Sequence, residues 1–577
     1  MFIQTREFEV SNDKDKLQRR EFLKQSLFGG AGLLLSSPLQ IFMANMISHF
    51  LQRGTAFASE DNAVFFNDFK LINLTMNGGL PRWYWDLPMA PNGDSDMLGI
   101  NAMVISRFKQ GTSGLTGEYA STKVNDFYLP YLWESMIPTA GGGMVSMKEL
   151  AQNMLMIRGI DQQIDSHEIG RIKQIVPVPG GSLMGFIADK ARTSLPAIDC
   201  TGGGQKYYNS KKGIPNIAMG GTNPFTTALR PFMTNGQLIV SNSGGDIEKA
   251  IDETLRVLSN HSSAKHSGIP MTYENRLNAK KLMKKNFGDL QQAYKDLLNK
   301  YSSLISRSFG DESLHLADVD DLQIPGDGQM KFFNFYAEGN IPMRFTGTDI
   351  RTLTNSNTTI GNLASSMAIA EFMITQGHSS ALNLASSSLA NLSVSRAKVI
   401  SDDSVFSKES TVATTDMHEV GAYTGLLLNT RFYRAQSACL NEFINQLKNT
   451  SIGQGQTLFD RCAVTVTSDF NRSARMDGSG SDHGWQGSSY TILSGMIPTT
   501  TVVGNITQFS PGTKYSGMWG LSGSMAEFNN RPGNIGNVAS TLATILEFKS
   551  PTPNDQPYVY KKDGKIYPAV GKPKNII

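Results

Sequence analysis

Short apolar runs rich in β-branched residues alternate along this chain with stretches whose apolar positions recur at helical spacing. That order predicts an α/β fold: a mainly parallel sheet flanked by helices. Phe69 to Met76 reads as a strand running into Gly78 and Gly79, and Asn153 to Arg158 as another ending at Gly159. Leu363 to Ile374 has helical spacing with Gly377 as its stop, followed by a strand from Ala381 to Ala385. A longer helix is predicted from about Asn429 to Leu447. Phe432, Ala435, Cys439, Phe443 and Leu447 share one of its faces, and a strand from Ala463 to Thr467 follows. Strand, crossover helix and strand is the sequence a parallel pair needs.

From about 246 to 308 the pattern changes to Lys, Glu, Gln and Leu with little glycine, which predicts a helical insert lying outside the sheet. The Gly- and Ser-rich pieces "TAGGGM", "TGGGQ" and "DGSGSDHG" read as loops at strand ends. No internal repeat is visible.

The first 58 residues stand apart. "QRREFLKQSLFGGAGLLLSS" sets Arg19 and Arg20 before Phe22, Leu23 and Lys24, then a glycine-bearing apolar run, and "AFA" follows at Ala56 to Ala58. This resembles a twin-arginine export signal, with Gln18 where Ser or Thr is usual. It implies passage of the folded chain through the twin-arginine translocase, cleavage after Ala58 and a periplasmic or otherwise exported product. An amphipathic N-terminal helix or an uncleaved anchor is the other reading of the same residues. The apolar run is interrupted by Pro38, so no stable membrane span is expected after cleavage. Residues 59–577 then form the α/β domain with its insert.

Composition narrows the function classes. At 577 residues the chain can bury a large core, and 40% apolar with 18% charged residues describes an ordinary globular protein. Lys and Arg number 53 against 50 Asp and Glu; residues 1–58 hold seven of the former and five of the latter, leaving 46 against 45. So balanced a surface gives nucleic acid no electrostatic footing. Three cysteines, Cys200, Cys439 and Cys462, allow one disulfide at most. In their apolar settings Cys439 and Cys462 read as small buried hydrophobes.

Four polar clusters follow strand-like runs, where α/β sheets gather functional groups. In "AVTVTSDFNRSARMDGSGSDHGWQG" a strand delivers Asp469, and a glycine-rich loop returns Asp482 and His483; carboxylate and imidazole donors suit zinc, manganese, magnesium or calcium. In "TTDMHEVGAY", Asp416 and His418 sit two apart, so an extended backbone points both the same way. "DSHEIG" holds Ser166, His167 and Glu168, readable as a nucleophile at a helix start or as an N-cap serine beside a solvated histidine. "LTMNGGLPRWYWDLP" brings Asn77, two glycines, Arg82 and Asp86, readable as a ligand loop or as a tight turn with an aromatic packing patch.

In this order the clusters resemble the exported bacterial proteins grouped as domain of unknown function 1501, within the alkaline-phosphatase and sulfatase superfamily. The resemblance runs from about Leu71 to Phe548. Beyond the four clusters it rests on "MIRGI…SHEIG…GGSLMGFIADKA…LPAI", "TDMH" before a helix ending "FINQLK", "VTSDFNR", "GSGSDHGW" and "NVASTLATILEF". It implies an alkaline-phosphatase-like sheet and a divalent-metal-dependent hydrolase acting on a small anionic phosphate or sulfate ester. Asp416, His418 and His483 would bind one metal, and Asp469 with Asn77 a second. Ser166 or His167 would supply the catalytic nucleophile region, and Arg82 would hold the substrate anion. Two departures matter. Phe470 stands where phosphatases carry a second-metal histidine, and "NGGLPR" replaces a more polar loop. The alternative they imply is a non-catalytic exported protein keeping the fold for metal binding or for structural or accessory duty.

Overall fold

The computed structural model describes residues 68–88, 105–211, 291–309, 359–399, 406–412, 422–474, 480–508 and 519–573, with gaps of one to six residues inside these ranges and a few short pieces between 216 and 260. The export signal, most of the helical insert, and Asp416 with His418 lie outside the described residues. Contacts divide the chain into two units: Met1–Phe57 with Ala228–Ala293, and Ala58–Thr227 with Tyr294–Ile577. Of the first, the structure describes little beyond the small hairpin Met233–Thr234 with Gln237–Leu238.

The centre of the second unit is a mixed, mainly parallel sheet of eight strands. In chain order they are β1 (Lys70–Met76), β2 (Met154–Ile160), β3 (Ala197–Asp199), β4 (Ile217–Ala218), β5 (Ala381–Ser386) and β6 (Cys462–Ser468). After a side hairpin of β7 (Asn471–Ala474) and β8 (Ser481–Gly484) come β9 (Ser488–Leu493) and β10 (Thr501–Val503). The spatial order is β4-β3-β5-β1-β6-β9-β2-β10. Only β9 runs against its neighbours; the β6–β9 and β9–β2 pairs are antiparallel and every other pair is parallel. The paired strands β1 and β6 sit mid-sheet, from Lys70 opposite Cys462 to Met76 opposite Ser468, and both are buried along their whole length.

Burial on both faces explains why these strands read as apolar runs, and the polar residues inside them pair across the sheet. Asn73 Nδ2 donates to Asn383 Oδ1 at 2.9 Å, Asn383 Nδ2 to Asp199 Oδ1 at 3.0 Å, and Thr465 Oγ1 to Asn73 Oδ1 at 2.7 Å. This polar row crosses four strands. A one-residue slip would turn it into a line of orphaned dipoles, so it fixes the register that hydrophobicity alone leaves loose.

Five helices position the site: α1 (His167–Ile175), α2 (Leu183–Lys190), α3 (Leu363–Thr375), α4 (Ala422–Asn449) and α5 (Ile535–Ile545). On one face Leu183, Met184 and Ile187 of α2 and Val538, Leu542 and Ile545 of α5 join one core with Leu71, Ala381, Ala463 and Ile492. Met76 has the opposite parity from Leu71 and faces α4, where Gln436 Nε2 donates to its sulfur at 3.2 Å. Among the described residues, no helix is long and apolar enough to cross a membrane.

Several expectations shift at their ends. The strand read as ending at Gly159 runs through it to Ile160; with φ +74°, Gly159 leaves room for the Asn505 carbonyl, 1.8 Å from where a Cβ would stand. Helix α4 starts at Ala422, since its first turns carry three consecutive leucines, Leu426 to Leu428, that blur the helical period. Its expected face is correct, with Phe432, Ala435, Cys439, Phe443 and Leu447 all buried. In "DGSGSDHG" the last four residues form strand β8 instead of a loop, because Arg472 and Ser473 of β7 pair with His483 and Asp482. Of the insert, residues 291–308 are helical. All three cysteines are free.

Candidate functional site

β1 and β6 end side by side, and the turns leaving them meet the start of α1. Asp469 directly follows β6, is 1% exposed, and accepts the Gly78 N–H on Oδ2 at 2.9 Å. The same oxygen accepts from His167 Nδ1 at 2.7 Å. A carboxylate held this way orients the imidazole and favours a proton on Nδ1. Asp469 Oδ1 is buried with no hydrogen-bond partner among the described residues.

The His167 and His483 rings meet edge to face, 4.8 Å between centroids. His483 reaches His167 because the β7–β8 hairpin folds it back against Arg472. Phe470 packs on both, 4.6 Å from His167 and 4.2 Å from His483. Its ring occupies the space beside Gly79, whose φ is +61°; a Cβ there would stand 2.4 Å from Phe470 Cε2. The turn is strapped down by Arg472, 1% exposed, which donates Nε to Gly79 O at 2.8 Å and Nη2 to Gly78 O at 2.7 Å. Gln162 bonds the Asp469 carbonyl through Nε2 and accepts Ser488 Oγ at 2.8 Å. Sequence reasoning assigned Arg472 and Gln162 no role. Arg472 does lie in the quoted "VTSDFNR"; Gln162 carries no local signal.

The structure thus brings together His167, Asp469 and His483 beside the Gly78–Gly79 turn. Asn77 directly follows β1 and opens that turn, half-buried, its N–H bonded to Ser386 O at 2.9 Å. Ser166 stands at the N-cap of α1 in extended conformation, but its side chain makes no capping bond; its carbonyl accepts the Gly170 N–H at 2.7 Å. Arg82, expected to hold an anion, is instead 1% exposed. Its Nε donates to Asp86 Oδ1 at 2.6 Å and its Nη2 pairs with Asp86 Oδ2. With its charge answered inside the protein and its head away from solvent, it is an internal strut. The aromatics behind it pack as the bland reading had it: Trp85 stacks between Trp133 and Tyr433, centroids at 6.2 and 5.3 Å.

No family model, curated protein or solved structure matches this chain.

One carboxylate and two imidazoles are donors a divalent cation accepts, and the orphaned Asp469 Oδ1 is an atom such a cation would satisfy. Among the described residues, however, no three His, Cys, Asp or Glu side chains form a group that could hold an ion. The residues present fit a metal only as part of a shell, to which the segment bearing Asp416 and His418 would have to contribute.

Proposed function

We propose that this chain is an exported, divalent-metal-dependent hydrolase of phosphate or sulfate esters on an alkaline-phosphatase-like fold. The reading is carried by one observation: His167 at the start of α1 and Asp469 after β6, 302 residues apart, are hydrogen-bonded beside the carboxyl ends of the parallel pair β1 and β6. Asp416, His418 and His483 are assigned to one cation, Asp469 Oδ1 and Asn77 to a second. Bound there, the metal would neutralise charge on the ester oxygens and on the attacking oxygen.

The chain's own groups would do the rest. Asp469 Oδ2 holds the His167 imidazole in place, and that ring is assigned to move the proton of the attacking group. The Ser166 hydroxyl, free of a capping bond, is assigned as the nucleophile, and the amino end of α1, with its partial positive charge, would favour the negative charge that attack develops. The twin-arginine pattern supports the location, since that route carries proteins that fold and load metal before export.

A second reading, a non-catalytic exported binding or accessory protein on the same fold, is favoured by Phe470, whose ring fills the space between the two histidines and Gly79. Metal analysis of the folded mature chain, with hydrolysis of aryl phosphates and aryl sulfates, separates them. The hydrolase reading expects bound divalent metal and turnover that Ser166→Ala and Asp469→Asn abolish. Metal without turnover supports the second reading, and absence of both metal and turnover overturns the first.

A further inference from the structure

The amino ends of β1 and β6, opposite the candidate site, open onto a cavity of about 470 Å³. That is within the range of small-ligand pockets. Phe69, directly before β1, forms part of its wall, and two cations are held against its ring. The Lys561 ammonium lies 4.5 Å from the ring centroid and the Arg461 guanidinium 5.1 Å.

The charges are not equally answered. Lys561 Nζ pairs with Glu547 Oε1 at 2.7 Å and donates to Ile545 O at 3.3 Å. Lys565 Nζ donates to Gly495 O at 2.8 Å and lies 3.5 Å from Asp460 Oδ1. Arg461 has no carboxylate partner among the described residues. Among the described residues its Nη2 reaches only the Gln456 amide oxygen, at 3.2 Å, and its buried Nε has no acceptor. The remaining acid of the cavity, Asp563, is exposed at a hairpin turn, where solvent screens it. Two like charges beside one ring, one of them uncompensated, create a position where an anion is favoured. A guanidinium recognises carboxylate or phosphate with directed hydrogen bonds.

We propose that this cavity is a second binding site, for a small organic anion bearing a carboxylate or phosphate group, with Arg461 as its anchor. It lies the length of β1 from Asn77, about 25 Å at strand rise, and does not depend on the ester-hydrolase reading.

The test is calorimetric titration of the mature chain with succinate and, separately, inorganic phosphate. At least one probe binds saturably, and which one names the group recognised. Arg461→Gln weakens that binding roughly tenfold or more. Glu547→Gln, which frees Lys561 from its counter-ion, tightens it, an outcome loss of folding cannot produce and one that still reports if the Arg461 variant fails to fold. Asp469→Asn leaves the affinity unchanged, separating this cavity from the candidate hydrolytic site. No saturable binding by either probe, equal affinity in Arg461→Gln, no tightening in Glu547→Gln, or loss of binding in Asp469→Asn each overturns the proposal.

Discussion

The two ends of the β1–β6 pair handle charge in opposite ways. At the carboxyl end Asp469, Arg472 and, close behind, Arg82 with Asp86 are all at most 1% exposed; main-chain groups of the adjoining turn meet Asp469 and Arg472, and Arg82 and Asp86 answer each other. At the amino end Arg461 and Lys561 are only partly buried, held mostly by a ring face and a single acid. The exception is Lys70, fully buried at the first position of β1 and donating to Ser380 Oγ at 2.9 Å. One end is a rigid polar constellation and the other an open, adjustable one. Preorganised chemistry asks for the former, while exchange of a bound ion suits the latter.

The sharpest way to break the contrast is to neutralise an arginine at each end. Arg82→Met strands the buried Asp86 carboxylate and should cost about 3–5 kcal/mol in denaturant unfolding. Arg461→Gln should cost less than about 1 kcal/mol; equal losses would show the amino end to be as tightly built. Lys70 comes next. Burial lowers its pKa to about 8 from an ordinary 10.5, outweighing the nearby Asp68 charge that raises it. The folded state therefore binds fewer protons than the unfolded one between these values, so the contribution of Lys70 to stability rises with pH across that window and is a penalty below it. The stability difference between wild type and Lys70→Met should shift in favour of wild type by about 3 kcal/mol from pH 8 to 10.5. The paired comparison cancels the opposite trend from buried tyrosines such as Tyr490 and Tyr558, whose pKa values burial raises.

Gly79→Ala adds a left-handed strain and a clash with Phe470, for a loss of about 1–2 kcal/mol and a displaced Phe470 ring visible by crystallography or NMR. The smallest stability change belongs to His167→Gln. With the side chain 32% exposed it should move the unfolding free energy by about 0.5 kcal/mol or less while removing any ester hydrolysis. A large stability loss there would make the His167–Asp469 bond a structural one.

Much of this was legible beforehand, for identifiable reasons. β1, β6, α3 and the buried face of α4 announce themselves because both-sided burial and helical spacing are local properties of sequence. The reversed strand β9 does not. "SSYTIL" looks the same whichever way its neighbours run, and direction is set by the short return from the β7–β8 hairpin. His167, Asp469 and His483 could each be picked as polar residues after strand-like runs, but nothing local says that His167 bonds Asp469. Arg82 was misjudged because a charge in a glycine-proline loop looks exposed, and only the i+4 carboxylate of Asp86 hinted that it could be satisfied inside. The DxH pair at Asp416 and His418 lies outside the described residues.

The central strand of the sheet is also the first to be synthesised, and its partner β6 lies 392 positions downstream at the Lys70–Cys462 pairing. At about 5–20 residues per second, β1 leaves the ribosome roughly 20–80 s before that neighbour exists. Its other neighbour β5 appears 310 positions on, but the edge that β6 covers has no native partner until that interval ends, and contacts this distant in sequence close slowly even once both strands are present. A nascent chain of this topology carries an unpaired sheet edge through most of its translation.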